Sequence, residues 1–191
     1  MADSTISRSP IANPGPLGLC GFALTTFVLS CANAGLFSGP EIVIGLALFY
    51  GGLAQLLAGM WEFKTGNTFG ATAFTSYGAF WLALATSIQF KLIPNPAAMG
   101  FFLLGWTVFT AIMLLGTLRT NLALILLFLA LLITFVLLTL GEFGFAAGHQ
   151  LGGYVGILTA LIAWYNAAAG ILASGPAAFK LPVFPVESGG S

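Results

Sequence analysis

Apolar residues run along this chain in six blocks, each broken by a short cluster of Gly, Pro, Asn or charged residues. The blocks fall at Pro14–Phe37, Ile42–Trp61, Thr68–Phe90, Ala97–Leu118, Leu122–Leu140 and Leu151–Ser174. Each is about 19 to 24 residues long, the length at which a helix crosses a hydrocarbon core of about 30 Å. The pattern predicts an all-α integral membrane protein of six transmembrane helices. The breaks carry turn and cap chemistry. Asn13 caps a helix that tolerates Pro14 and Pro16 in its first turn, where backbone N–H groups lack partners anyway. Ser38-Gly39-Pro40 turns the chain, Asn67 caps the third helix, and Pro94-Asn95-Pro96 separates the third from the fourth. Arg119-Thr120-Asn121 leads into the fifth helix, and a Gly-rich linker with Glu142 and His149 leads into the sixth.

Composition sharpens this picture. Hydrophobic residues make up 59% and charged residues 5%, against about 25% charged in soluble domains. The net charge of zero offers no basic surface for nucleic acid. The expected organisation is an N-terminal segment over 1–12, a six-helix membrane domain over 13–174 and a tail over 175–191. The tail holds Pro and Gly without periodicity and is expected to be poorly ordered. The first dozen residues lack the charged start and apolar core of a secretory signal, so insertion is expected to use the first helix. Arg8, Lys64, Arg119 and Lys180 fall on the side shared by both termini and Lys91 on the other. The excess of positive charge predicts a multi-pass protein of the cell membrane with both termini cytoplasmic.

With that topology, Phe22, Tyr77 and Leu131 lie eight or nine residues into helices entering from the same face, roughly 12 to 14 Å deep. They meet near the middle of the membrane. Thr72, Thr75 and Ser76 share one face of the third helix, and Gln55 on the antiparallel second helix reaches a similar depth. Two readings stand for these polar groups. Either the hydroxyls bond back to their own helix and Gln55 joins helices, or together they line a polar path through the cytoplasmic half. Glu62 and Lys64 read first as a solvated pair at the cytoplasmic rim. The alternative is a vestibule in which Lys64 and the helix start at Asn67 attract an anion. Gly148, Gly152 and Gly156, like Gly66 and Gly70, have the four-residue spacing that lets membrane helices approach closely, within a protomer or between protomers. Trp61 is placed at the interface, while Trp81, Trp106 and Trp164 sit deep in their helices and suit packing. Cys20 and Cys31, roughly 16 Å apart along one helix, are too distant to bridge.

No catalytic constellation is present. His149 has no ligand-type neighbour at metal spacing, Ser and His lack supporting context, and the Gly-rich stretches lack the strand-to-helix setting of a nucleotide site. The chain is expected to be no enzyme, with no metal and no cofactor.

Asn13-Pro14-Gly15-Pro16-Leu17-Gly18-Leu19, with Phe22 close behind, resembles the N-P-x-P-L-G-L signature of the acetate uptake transporter family. Phe49-Tyr50-Gly51-Gly52, Gln55, Ala58-Gly59, Glu62, Gly66-Asn67-Thr68-Phe69-Gly70 and Ala73 to Gly78 with Phe80-Trp81 resemble that family's second and third helices. Gly116-Thr117-Leu118-Arg119 resembles the end of its fourth. The resemblance spans the chain to about Ser174, and Gly15 stands where relatives often have Ala.

It implies a bundle similar to the urea/amide channels, assembled as a homo-hexameric ring with a pathway in each protomer. It also implies uptake of acetate, and in some members succinate, linked to protons, with Phe22, Tyr77 and Leu131 at the narrowest point. Whether the pathway works as a channel or as a carrier is left open.

A bare anion in an apolar barrier is costly, so either Gln55, Thr72, Thr75, Tyr77 and helix ends supply donors, or the acid crosses protonated. The absence of a mid-depth Asp or Glu favours the second route. Rival expectations are a channel for a neutral solute such as urea and a structural membrane protein without substrate.

Overall fold

The computed structural model describes residues 11–39, 41–177 and 179–186. Arg8, Pro40 and the ends of both terminal segments lie outside the described residues. Six long helices account for most of the rest: α1 (Gly15–Asn33), α2 (Glu41–Thr65), α3 (Thr68–Gln89), α4 (Pro96–Thr117), α5 (Leu122–Glu142) and α6 (Gly148–Ala173). Five are long and apolar enough to cross a membrane by hydropathy. The remaining helix is α3, whose Thr and Ser residues dilute its apolar character.

The caps expected at Asn13 and Asn67 form, and two that the sequence reading did not single out form beside them. Asn13 Oδ1 accepts from Gly15 N–H at 2.9 Å, Asn67 Oδ1 from Gly70 N–H at 3.0 Å, and Asn95 and Asn121 do the same for α4 and α5. Removing the Asn67 cap by Asn67→Ala should cost about 0.5–2 kcal/mol, read as a lower unfolding midpoint of the purified protein.

Several boundaries depart from the expected blocks. The first helix stops at Asn33, because Gly35 takes a left-handed φ of 78° and Leu36 N–H returns to Cys31 O. The sixth begins three residues earlier than expected, at Gly148. α2 is α-helical over Glu41–Leu48 and Gln55–Thr65 but widens to a π-helix over Phe49–Ala54, a form that clusters at functional sites. The neighbouring helices press closely on this segment. A Cβ on Gly51 would lie 2.5 Å from Thr25 Oγ1, and one on Gly21 would lie 2.5 Å from the Tyr50 carbonyl oxygen.

Packed pairs follow the order α2–α1–α6–α5–α4, with α3 against α2. α3 and α4 barely approach at the backbone, and aromatic side chains close the gap. Tyr77 meets Trp106 and Phe109 with ring centroids 5.9 and 5.3 Å away, and Phe80 meets Trp106 and Phe102 at 5.1 and 5.7 Å. The helices thus form a ring, with α1, α3 and α5 turning side chains inward.

The glycine stripe serves this intramolecular packing. Gly148 and Gly152 lie against Gly141 and Leu138 of α5, and Gly156 against Ser30 of α1. Gly66 instead ends α2 in a left-handed turn with open space around it. A Cβ on Gly78 would lie 2.7 Å from Leu56 N and 2.9 Å from the Gly52 carbonyl oxygen. Gly78→Val should therefore overpack the α2–α3 contact by about 1–3 kcal/mol, lowering the yield of assembled protein in size-exclusion chromatography.

The tail over residues 179–186 is docked, contrary to the expectation of disorder. Leu122 N–H donates to Phe184 O at 2.9 Å, Val186 N–H to Thr120 O at 3.0 Å, and the Tyr165 hydroxyl to Pro182 O. The backbone donors and acceptors at the α4–α5 turn supply the partners that periodicity in the tail does not.

Candidate functional site

Two cavities enter the ring from opposite ends. The one at the α1 start, of about 250 Å³, is bounded by Asn13, Gln55, Glu62, Asn67 and Asn166, and narrows onto Phe22, Tyr77, Phe128 and Leu131. The one at the α1 end, of about 450 Å³, has Asn33, Glu41, Glu142 and His149 among its polar residues and reaches in to Phe80 and Phe135. Among the described residues no Lys or Arg lines either cavity.

Between them lies an apolar neck of two layers, one turn apart on α3 and on α5. The first layer joins Phe22, Tyr77 and Leu131, all buried, with the Phe22 and Tyr77 rings 6.0 Å apart. The depth comparison made from sequence brings these three residues together as the structure does. The second layer is Phe80 edge-on to Phe135 at 5.5 Å. Phe128, Leu131 and Phe135 are spaced at three and four residues, as are Tyr77 and Phe80, so this second layer was within reach of helical periodicity.

The Tyr77 hydroxyl is already engaged. It shares a 2.9 Å hydrogen bond with Thr110 of α4, whose side chain is fully buried. Tyr77 thus presents its ring to the cavity, and its hydroxyl is not a free donor. Thr110, one of three Thr residues in its apolar block, gave no signal of this partnership.

Gln55 is 1% exposed, borders the smaller cavity, and its Oε1 has no hydrogen-bond partner among the described residues. A buried amide without partners is costly, so the group is free to serve a guest in the cavity. Asn67 borders the same cavity while capping α3. Asn166, unremarked in the sequence, joins them and bonds the Ala123 and Ile162 carbonyls at 3.1 and 2.9 Å.

The expected polar face of α3 points elsewhere. Thr72 is exposed on the outside of the bundle, Ser76 is half-buried, and none of Thr72, Thr75 and Ser76 borders either cavity. Thr75 Oγ1 is buried against Gly59 without a hydrogen-bond partner. Spacing places the three on one face, and the α2–α3 contact turns that face away from both cavities.

The rim pair is also corrected. Glu62 is 3% exposed while Lys64 is exposed, since residues two apart point to different sides of a helix. Glu62 Oε2 accepts from Thr65 Oγ1 and Asn67 Nδ2, each at 3.0 Å. At the other mouth, His149 Nε2 stands 3.6 Å from Glu142 Oε1.

The signature segment shapes the smaller mouth. Asn13, Pro16 and Leu19 border the cavity, Gly18 packs under the Phe74 ring, and Leu17 is 47% exposed. Pro14 caps α1 through its backbone.

A ring of membrane helices with two facing vestibules and an apolar neck defines a membrane transport protein. Sequence comparison places the chain within this class: it matches the GPR1/FUN34/yaaH family over residues 3–188 and belongs to that family. Acetate permease A of Emericella nidulans is 48% identical over 202 residues, covering 94% of this chain and 68% of that protein. Succinate-acetate/proton symporter SatP of Escherichia coli K12 is 40% identical over 173 residues, covering 87% and 92%. The solved structure of the bacterial acetate channel SatP superposes with a TM-score of 0.84 at 39% identity, covering 90% of this chain and 99% of that one.

Proposed function

We propose that this protein carries acetate and related short carboxylates, with their protons, across the cell membrane through a pathway in each protomer. The observation that carries the proposal is the apolar neck, in which Phe22, Tyr77 and Leu131 meet between two vestibules, in a chain 39% identical to an acetate channel. Moving an ion into so apolar a passage costs several kcal/mol, and among the described residues no Lys or Arg lines either cavity to offset it. The neutral acid is therefore the species suited to cross. Gln55 and Asn67 bind it in the smaller vestibule, the two aromatic layers keep ions and water out, and no group in the protein need turn over chemically.

The protomers assemble as a ring of six, and the membrane domain spans residues 13–174 between two short cytoplasmic segments. Both termini face the cytoplasm, as the side bearing Arg8, Lys64, Arg119 and Lys180 should. A tag placed after Ser191 should react only in permeabilised cells, and labelling of intact cells would overturn that orientation.

Purified protein in liposomes should take up radiolabelled acetate well above empty liposomes. A short carboxylic acid with a pKa near that of Glu, about 4.3, loses about tenfold of its neutral form per pH unit from pH 5 to 7, and uptake should fall in step. Uptake of urea in place of acetate, indifferent to pH, would contradict the proposal.

A further inference from the structure

Glu62 presents an unusual arrangement at the inner vestibule. Its carboxylate is 3% exposed, borders the cavity, and has no cationic partner among the described residues. The Thr65 and Asn67 side chains hold Oε2, and among the described residues no hydrogen bond reaches Oε1. Oε1 lies 3.5 Å from the position a Cβ on Gly15 would take, at the first turn of α1. The Glu62 carboxyl carbon lies 2.8 Å from the corresponding position on Gly70, in the first turn of α3. Two helix N-termini therefore converge on this one carboxylate, and their partial positive charge favours an anion there.

The anion site that the α3 start would otherwise form is thus filled by the chain's own side chain. The groups facing Glu62 from α1 are Asn13 and Gly15, from α3 Asn67 and Gly70, and from its own helix Thr65, none of them charged. Among the described residues Tyr77 is the other titratable group bordering the cavity, and its hydroxyl is engaged by Thr110. Gln55, 1% exposed with an unpartnered Oε1, borders the same space.

We infer that Glu62 selects the protonation state of the substrate. Its free Oε1 accepts a hydrogen bond from the O–H of a protonated carboxylic acid, a charge-assisted bond of the strong kind. The same negative charge repels a carboxylate anion from the vestibule. A neutral acid gains a partner where its ionised form meets a like charge, so the protein passes proton and carboxylate together without a proton relay through the neck. The inference rests on the transport function proposed above.

The test compares the parent protein with Glu62→Gln and Glu62→Asp in liposomes, by radiolabelled acetate uptake at pH 6 and pH 7 and by charge movement under an acetate gradient at pH 7. Uptake by the parent and by Glu62→Asp should fall about tenfold between the two pH values, following the neutral acid, with no acetate-driven charge movement. Glu62→Gln leaves the helix N-termini to the substrate anion, which fills the vestibule without passing the neck, so its uptake should drop at least threefold below the parent's as total acetate is raised, still without current. A Glu62→Gln profile matching the parent overturns the inference, as does an acetate current through the parent protein. Should Glu62→Gln fail to assemble, Glu62→Ala is expected to behave in the same way and is read against the same parent profile. Parent uptake at pH 5 no greater than empty liposomes removes the transport function itself, and this inference with it.

Discussion

Truncating both Phe22 and Leu131 to alanine should let the protein accept carboxylates one or two carbons longer than acetate, raising their uptake relative to acetate about tenfold or more. The two side chains form one side of the first neck layer, with the Phe22 ring 6.0 Å from Tyr77 and Leu131 4% exposed. The fit of one methylene in an apolar pocket is worth about 1–3 kcal/mol, or about 10- to 200-fold in discrimination, so removing both should erase much of the size selection. Large-to-small changes of this kind cost about 2–5 kcal/mol each in a closed core. Assembled protein must therefore be measured alongside transport. The second layer of Phe80 and Phe135 remains in place, so ion exclusion should persist. An unchanged substrate range in an assembled double variant would place the limiting constriction at that second layer.

Gln55→Leu should weaken acetate uptake by between a few-fold and about a hundred-fold. A lost hydrogen bond costs about 0.5–1.5 kcal/mol when both partners are neutral and about 1.5–3 kcal/mol when one is charged, with about 1.4 kcal/mol for each factor of ten. Gln55 is the most deeply buried polar side chain bordering either cavity, and its Oε1 has no partner among the described residues. A loss near the small end fits a neutral acid in the site. Thr75→Val serves as the contrast, because its hydroxyl is buried against Gly59 without a partner. Replacing it should leave uptake within about twofold and stability unchanged or improved, since an unsatisfied buried group disappears. Equal losses from the two substitutions, measured as initial rates per assembled protein, would show that both act through helix packing.

The contrast between Gln55 and Thr75 also shows where the sequence was informative. Hydropathy and the breaks between runs located all six helices, because a membrane demands long apolar runs, and Asn13 and Asn67 mark helix starts by a local interaction. Alternating topology turned residue counts into depths and so aligned Phe22, Tyr77 and Leu131. Periodicity could group Thr72, Thr75 and Ser76 on one face, but the direction of that face was set by Gly59 and Gly78, which draw α3 onto α2. The same limit hid Glu62. Its proximity to Lys64 in sequence suggested a pair, while the helix carries the two to different sides and two distant helix starts receive the carboxylate. The π-helical widening at Phe49–Ala54 and the docked tail depend on contacts between segments far apart in the chain, which local pattern does not encode.

The central claim is that carboxylates cross through the neck inside each protomer. In a background with Cys20→Ser and Cys31→Ser, Leu131→Cys places a single thiol at that neck. Modification by a small thiol reagent should abolish acetate uptake in proteoliposomes, and acetate present during labelling should slow the reaction. Uptake unchanged after stoichiometric modification of Leu131→Cys would show that the pathway lies elsewhere.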